Sequence, residues 1–190
     1  MESKTINNSK GLAANPNATD KALDYVQKLR EKLKDESDRG SVLIATANLE
    51  SALKSRIERM LAPAINDDDT LLDINSPLGD LIVKIELAYR LGLISDQLCS
   101  ALHKIRRLRN KFAHDEGGLS MGENSPKDSV DDLWSRFPFL SEGQEVNLSS
   151  KNKFVEVCSL VVFHLRHEEE FKVTRIKAKD KEWLFAQKKN

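Results

Sequence analysis

Residues 98–114 read LCSALHKIRRLRNKFAH, and this stretch decides the fold. Its apolar residues recur at steps of three and four: Leu98, Ala101, Leu102, Ile105, Leu108 and Phe112. That spacing places them on one face of an amphipathic helix, while the opposite face is basic. We therefore predict a helix at the centre of the fold that packs with one face and leaves the other free for function.

The length and the cysteines indicate a single domain of ordinary stability. A chain of 190 residues can bury about two thirds of the surface that it exposes when unfolded. Cys99 and Cys158 both lie in apolar helical patterns, which predicts two buried, reduced thiols rather than a disulfide or a metal site. Because the sequence has no signal peptide and no long apolar run, we expect a cytoplasmic protein without membrane contact.

The formal charge is balanced, with 30 basic and 30 acidic residues, so any nucleic-acid binding must come from a local patch. The densest patch on a predicted helix lies between residues 103 and 111. The candidate nucleic-acid contacts in it are Lys104, Arg106, Arg107 and Lys111. A solvated helix face is the more common explanation of such a charged run.

The whole chain predicts an all-α bundle of five to seven helices, without strands or internal repeats. Residues 1–18 are expected to form a disordered tail, residues 19–171 the bundle, and residues 172–190 a basic extension that can be helical. Capping signals for the first four helices stand at Thr19-Asp20, Ser41, Ser76-Pro77 and Ser95. Gly92 should end the third helix, and Gly79 should allow a close backbone approach. Further helices are predicted from Asp128 to Phe137 and from about Ser149.

Three segments resemble the mannitol operon repressor family of bacterial regulators. They are SPLGDL at 76–81, KIELAYRLGLI at 84–94 and IRRLRNKFAH at 105–114, within a match that covers about residues 41–115. The family is all-helical, is tied by its name to repression of sugar-uptake genes, and lacks a recognisable helix-turn-helix. The resemblance implies a regulator that acts through protein or nucleic-acid contacts. This sequence also lacks a helix-turn-helix, because the helix after Gly92 needs its apolar face for the core.

A second, local resemblance concerns Arg109 to His114, which is similar to the Arg-x-x-x-x-His signature of the HEPN superfamily. It implies a metal-independent ribonuclease, acting as a toxin or defence effector, whose site forms across a homodimer near these residues. Arg109 would hold the phosphate, His114 would exchange protons and Asn110 would position one of them. A histidine titrates near neutrality and an arginine offers a planar fork of donors, so the residue types suit this chemistry.

The same residues also fit a structural role. Arg109 can pair with an acidic residue, and a histidine is a favourable cation at a helix carboxyl end. His103, His164 and His167 have no partners at useful spacing, and the sequence offers no clustered carboxylate–histidine set, so we expect no metal and no cofactor. We favour the regulator, a homodimer with a nucleic-acid or regulatory protein partner, over the ribonuclease.

Overall fold

The computed structural model describes residues 16–62, 70–115, 118–141 and 148–167. These residues form six α-helices and a 3-10 turn, with no strand among them: α1 (Pro16–Asp35), α2 (Asp38–Glu58), α3 (Leu81–Arg90), α4 (Asp96–His114), α5 (Asn124–Ser135), the turn Pro138–Leu140 and α6 (Ser150–Arg166). The all-α prediction and its number of helices are therefore confirmed. The predicted tail, apart from residues 16–18, and the predicted extension at 172–190 lie outside the described residues.

The centre of the bundle is α2. This helix packs against α1, α3, α4 and α6, and α6 packs in turn against α1, α2 and α5. The buried apolar residues of α2 are Val42, Ala45, Leu49, Ala52, Leu53 and Ile57. The sequence prediction placed the 98–114 helix at this position. That prediction is corrected, because α2 is wrapped by other helices whereas α4 buries one face only.

The predicted packing face of α4 is confirmed residue by residue. Its six apolar side chains, from Leu98 to Phe112, are all buried. Ser95 is the N-cap, and its hydroxyl oxygen accepts the N–H of Leu98 at 3.2 Å. The helix ends at His114, as its sequence predicts. Since α4 packs against α2, α3 and α5, its remaining face is directed outward.

Basic side chains that are distant in sequence donate hydrogen bonds to backbone carbonyls at the carboxyl ends of several helices. The last carbonyls of a helix have no partner within it, and a positive charge is favourable beside them. The pairs are Arg39 with the carbonyls of Ala113 and Asp115 at the end of α4, Arg56 with those of His164 and Leu165 in α6, and Lys151 with those of Lys34 and Glu36 after α1. These contacts fix where each helix stops relative to its neighbours.

The starts of α1 and α2 differ from the sequence predictions. The first helix begins at Pro16, ahead of the predicted Thr19-Asp20 cap, and proline is well suited to a first helical position. The second is capped by Ser37, whose hydroxyl oxygen accepts the N–H of Gly40 at 3.0 Å. Ser41, the predicted cap, is buried and donates to the carbonyl of Leu33 at 2.6 Å. Gly40 therefore lies in the first turn of α2, and the break between α1 and α2 falls before it, at Glu36 and Ser37.

The third helix starts later than Ser76-Pro77. These residues form a turn in which the N–H of Gly79 donates to the Ser76 carbonyl at 2.9 Å. A Cβ on Gly79 would lie 2.2 Å from the Asp73 carbonyl oxygen, so the predicted close approach is confirmed. The predicted stop is also confirmed. Gly92 has φ +70°, and the N–H of Leu93 returns to the Ala88 carbonyl at 2.9 Å.

The fifth helix begins at Asn124, four residues before the predicted Asp128. Pro126 lies in its first turn, where the backbone N–H groups have no partner within the helix in any case. The sixth helix agrees with its prediction, because the Ser149 hydroxyl oxygen accepts the N–H of Asn152 at 3.2 Å. Among the described helices, none has the length and apolarity needed to cross a membrane.

Candidate functional site

The outward sides of α3 and α4 together form an open groove, which we call the α3–α4 face. Its lining comprises Ile82, Glu86 and Tyr89 from α3, and Asp96, Cys99, Ser100, His103, Arg106 and Arg107 from α4. The α4 members recur at steps of three and four on the side opposite the buried stripe. The amphipathic pattern of α4 therefore produces both the core contact and this face.

Glu86 and His103 connect the two helices across the groove. The Nε2 atom of His103 lies 2.9 Å from Oε1 of Glu86. Glu86 lies on α3, before the turn at Gly92, and His103 lies on α4, after it, so the contact joins the two helices of the predicted hairpin. The expectation that His103 has no partner is therefore wrong, because the partner comes from another helix.

Cys99 lies beside this pair. Its side chain is buried, and one ligand atom each from Cys99, Glu86 and His103 lie within 4.8 Å of one another. Burial, followed by the nearby Glu86 and Asp96 carboxylates, raises the pKa of the Cys99 thiol above its ordinary value. The sulfur is therefore a neutral thiol at pH 7, as the sequence predicted. The sequence signal for this group was the four-residue step from Cys99 to His103, which places both on one helix face.

The four predicted nucleic-acid contacts do not form a purely cationic patch. Lys104 is ion-paired with Asp132 of α5, and its hydrogen bond lowers the pKa of that carboxyl. Lys111 donates from Nζ to the Ser125 hydroxyl at 2.5 Å. The other two, Arg106 and Arg107, line the α3–α4 face together with two carboxylates. Their role in nucleic-acid binding stays a prediction.

The predicted catalytic residues lie at the carboxyl end of α4. Arg109 donates from Nη1 to the Oδ1 atom of Asn110 at 3.2 Å, so the amide oxygen engages Arg109. Residues five apart on an α-helix are separated by roughly 140° around its axis, and Arg109 and His114 thus leave the helix on different sides. Both side chains are exposed. Their assignment to one catalytic site stays a prediction.

No protein-family model and no curated protein matches this sequence. Its helical bundle is, however, an architecture found in solved bacterial structures. One similar structure is a chain of the MtlR–HPr complex from Escherichia coli, with 18% identity and a TM-score of 0.58 over 75% of this chain and 99% of that chain. Another is YggD, a possible transcriptional regulator from Shigella flexneri, with 12% identity and a TM-score of 0.55 over 77% of this chain and 96% of that chain. At these identities the likeness establishes a shared fold.

Proposed function

We propose that this chain is a bacterial regulatory protein of the mannitol operon repressor type that acts by binding a protein partner through the α3–α4 face. The observation that carries the proposal is the mixed composition of that face. Ile82 and Tyr89 are 41% and 42% exposed beside carboxylates and arginines. Exposed aromatic and apolar side chains next to arginine are typical of protein–protein interfaces.

The charges on the α3–α4 face favour a protein over a nucleic acid. Binding to a phosphate backbone draws its affinity from cations that are not already compensated. Here Arg106 and Arg107 share the groove with Glu86 and Asp96, which balance them. A surface with both signs of charge gives specificity toward a protein whose charges are complementary.

The shared fold supports a particular candidate partner. The Escherichia coli protein of this fold was solved in complex with HPr. We propose that HPr from the same bacterium as this chain is a partner, and that regulation proceeds through this contact without a helix-turn-helix. The short turn at Gly92 joins two helices of a hairpin, and α4 uses its apolar face for the core.

The test is isothermal titration of the full chain with purified HPr. Tyr89→Ala and Arg107→Glu should each raise the dissociation constant at least about tenfold, equivalent to about 1.4 kcal/mol, because they remove an aromatic anchor and reverse a charge. The matched controls are Leu23→Ala and Lys32→Glu, two exposed positions on α1, a helix that packs mainly against α2 and α6. The proposal would be contradicted if the α1 controls lost as much affinity for HPr as the variants on the α3–α4 face. It would also be contradicted if HPr did not bind at tens of micromolar.

A further inference from the structure

We propose that Glu86, Cys99 and His103 form a binding site for a borderline divalent cation of the Zn²⁺ class. The observation is their convergence from two helices, with one ligand atom from each lying within 4.8 Å of the other two. This inference does not depend on the proposed protein partner, because it concerns the ligand chemistry of three side chains. It departs from the sequence expectation of no metal.

The donor set selects the class of cation. A cysteine sulfur, an imidazole nitrogen and a carboxylate oxygen are the ligand types that Zn²⁺ takes in proteins. Mg²⁺ and Ca²⁺ prefer oxygen ligands throughout, so a site with sulfur and nitrogen discriminates against them. Among the described residues, this is the group of His, Cys, Asp and Glu side chains whose ligand atoms come close enough to hold an ion.

The backbone of α4 places two of the ligands on one helix. Cys99 and His103 are four residues apart on α4, so their side chains project from the same side of a rigid helix. Tetrahedral zinc with bonds of about 2.0–2.3 Å places its ligand atoms roughly 3.5 Å apart. The 2.9 Å contact between His103 and Glu86 would open slightly to admit the cation. Glu86, with its side chain 56% exposed, is free to make this change.

The groove supplies the remaining position and the charge balance. Asp96 lines the same groove, and a water molecule that it holds can take the fourth place. On binding, Cys99 forms a sulfur–metal bond and releases its thiol proton to solvent. The thiolate and the Glu86 and Asp96 carboxylates then offset the charge of the cation and part of the charge of the two nearby arginines. Such a site would join α3 to α4 across the groove.

The test uses the full chain, reduced, free of any histidine tag and stripped with chelator. Titration with Co²⁺ should give the intense visible bands of tetrahedral cobalt and a near-ultraviolet sulfur-to-metal charge-transfer band that saturates at one equivalent per chain. Added Zn²⁺ should then displace the Co²⁺ and abolish both the visible bands and the charge-transfer band. Saturating Zn²⁺ should also raise the thermal midpoint of the wild type, because a ligand that binds only the folded state stabilises it.

Variants identify the ligands. Cys99→Ala should remove the charge-transfer band, and His103→Gln and Glu86→Gln should each weaken Zn²⁺ binding by a factor on the order of ten to a hundred or more. Cys158→Ala is the matched control, since it removes the other buried thiol of this chain and should keep the band. Circular dichroism of each variant establishes that it is folded. Absence of the band in the wild type, or its persistence in folded Cys99→Ala, would overturn the proposal.

Discussion

Substitution of His114 distinguishes most clearly between the regulator hypothesis and the ribonuclease hypothesis. We expect induced wild type and His114→Ala to give the same growth and the same intact cellular RNA, because Arg109 engages Asn110 and leaves α4 on a different side from His114. Growth curves and RNA electrophoresis after induction measure this. A folded, induced Leu23→Ala variant serves as the expression control.

The opposite outcome is equally specific. A ribonuclease that uses His114 would cleave RNA in the presence of chelator and leave a 2′,3′-cyclic phosphate, because the neighbouring 2′-hydroxyl would be the nucleophile. Cleavage would then fall roughly a hundredfold or more in His114→Ala. Arg109→Lys would also be impaired, since an ammonium group cannot reproduce the planar fork of a guanidinium. Such a result would contradict the proposed regulator and support the HEPN-type ribonuclease.

The residues that the sequence could not assign are those whose partners come from another helix. Cys99 and His103 stand four apart in a helix that is evident from its periodicity, so their shared face was predictable. Glu86 belongs to α3, and only the packing of α3 against α4 places its carboxylate 2.9 Å from His103. Lys104 likewise looks like a free cation in the sequence, whereas it is ion-paired with Asp132 of α5.

At the level of elements, α5 is held to its neighbours by carboxylates. Asp131 accepts hydrogen bonds from Lys127 at 2.6 Å and from Lys153 of α6 at 2.7 Å, and these lower the pKa of Asp131 below its ordinary value of 3.8. A carboxyl with a lowered folded pKa contributes stability that is fully present above its unfolded pKa. That contribution is lost as the pH falls through the folded value.

We therefore expect the free energy of unfolding to fall below about pH 4, and to fall less steeply in Asp131→Asn. At pH 7 the variant should be less stable by about 0.5–1 kcal/mol, because the ion pairs are partly exposed to solvent. Urea denaturation between pH 3 and 7 measures both effects. Asp24→Asn, which loses an exposed pair with Lys28 within α1, is the control. Parallel pH profiles for wild type and Asp131→Asn would contradict the assignment.

Elements with a local signal were predictable, and elements defined by tertiary contact were not. The extent of α4 follows from its apolar stripe and the Ser95 cap, and the end of α3 follows from Gly92. Ser76-Pro77 carries the same kind of starting signal, yet it forms a turn whose Gly79 lies against the Asp73 carbonyl. The close approach of that backbone outweighed the helix-start preference of the sequence.

At the level of the whole molecule, the stability of the expected homodimer should depend on salt concentration. In a twofold dimer each residue near the axis approaches its own copy. An interface at the carboxyl end of α4 would bring together the exposed cations Arg109 and Lys111 of both chains. Repulsion between them weakens as salt screens it, with a Debye length of about 10 Å at 0.1 M and about 3 Å at 1 M.

We expect sedimentation equilibrium at tens of micromolar to detect a dimer whose dissociation constant decreases as salt rises. Arg109→Gln should strengthen the dimer at low salt, because it removes one positive charge from each side of the axis. Lys32→Gln on α1 is the matched control and should leave the dissociation constant unchanged. A dimer that is unaffected by Arg109→Gln would place the interface elsewhere. A monomer at every salt concentration would remove the dimer and any site composed across it, while leaving the proposed partner contact on the α3–α4 face intact.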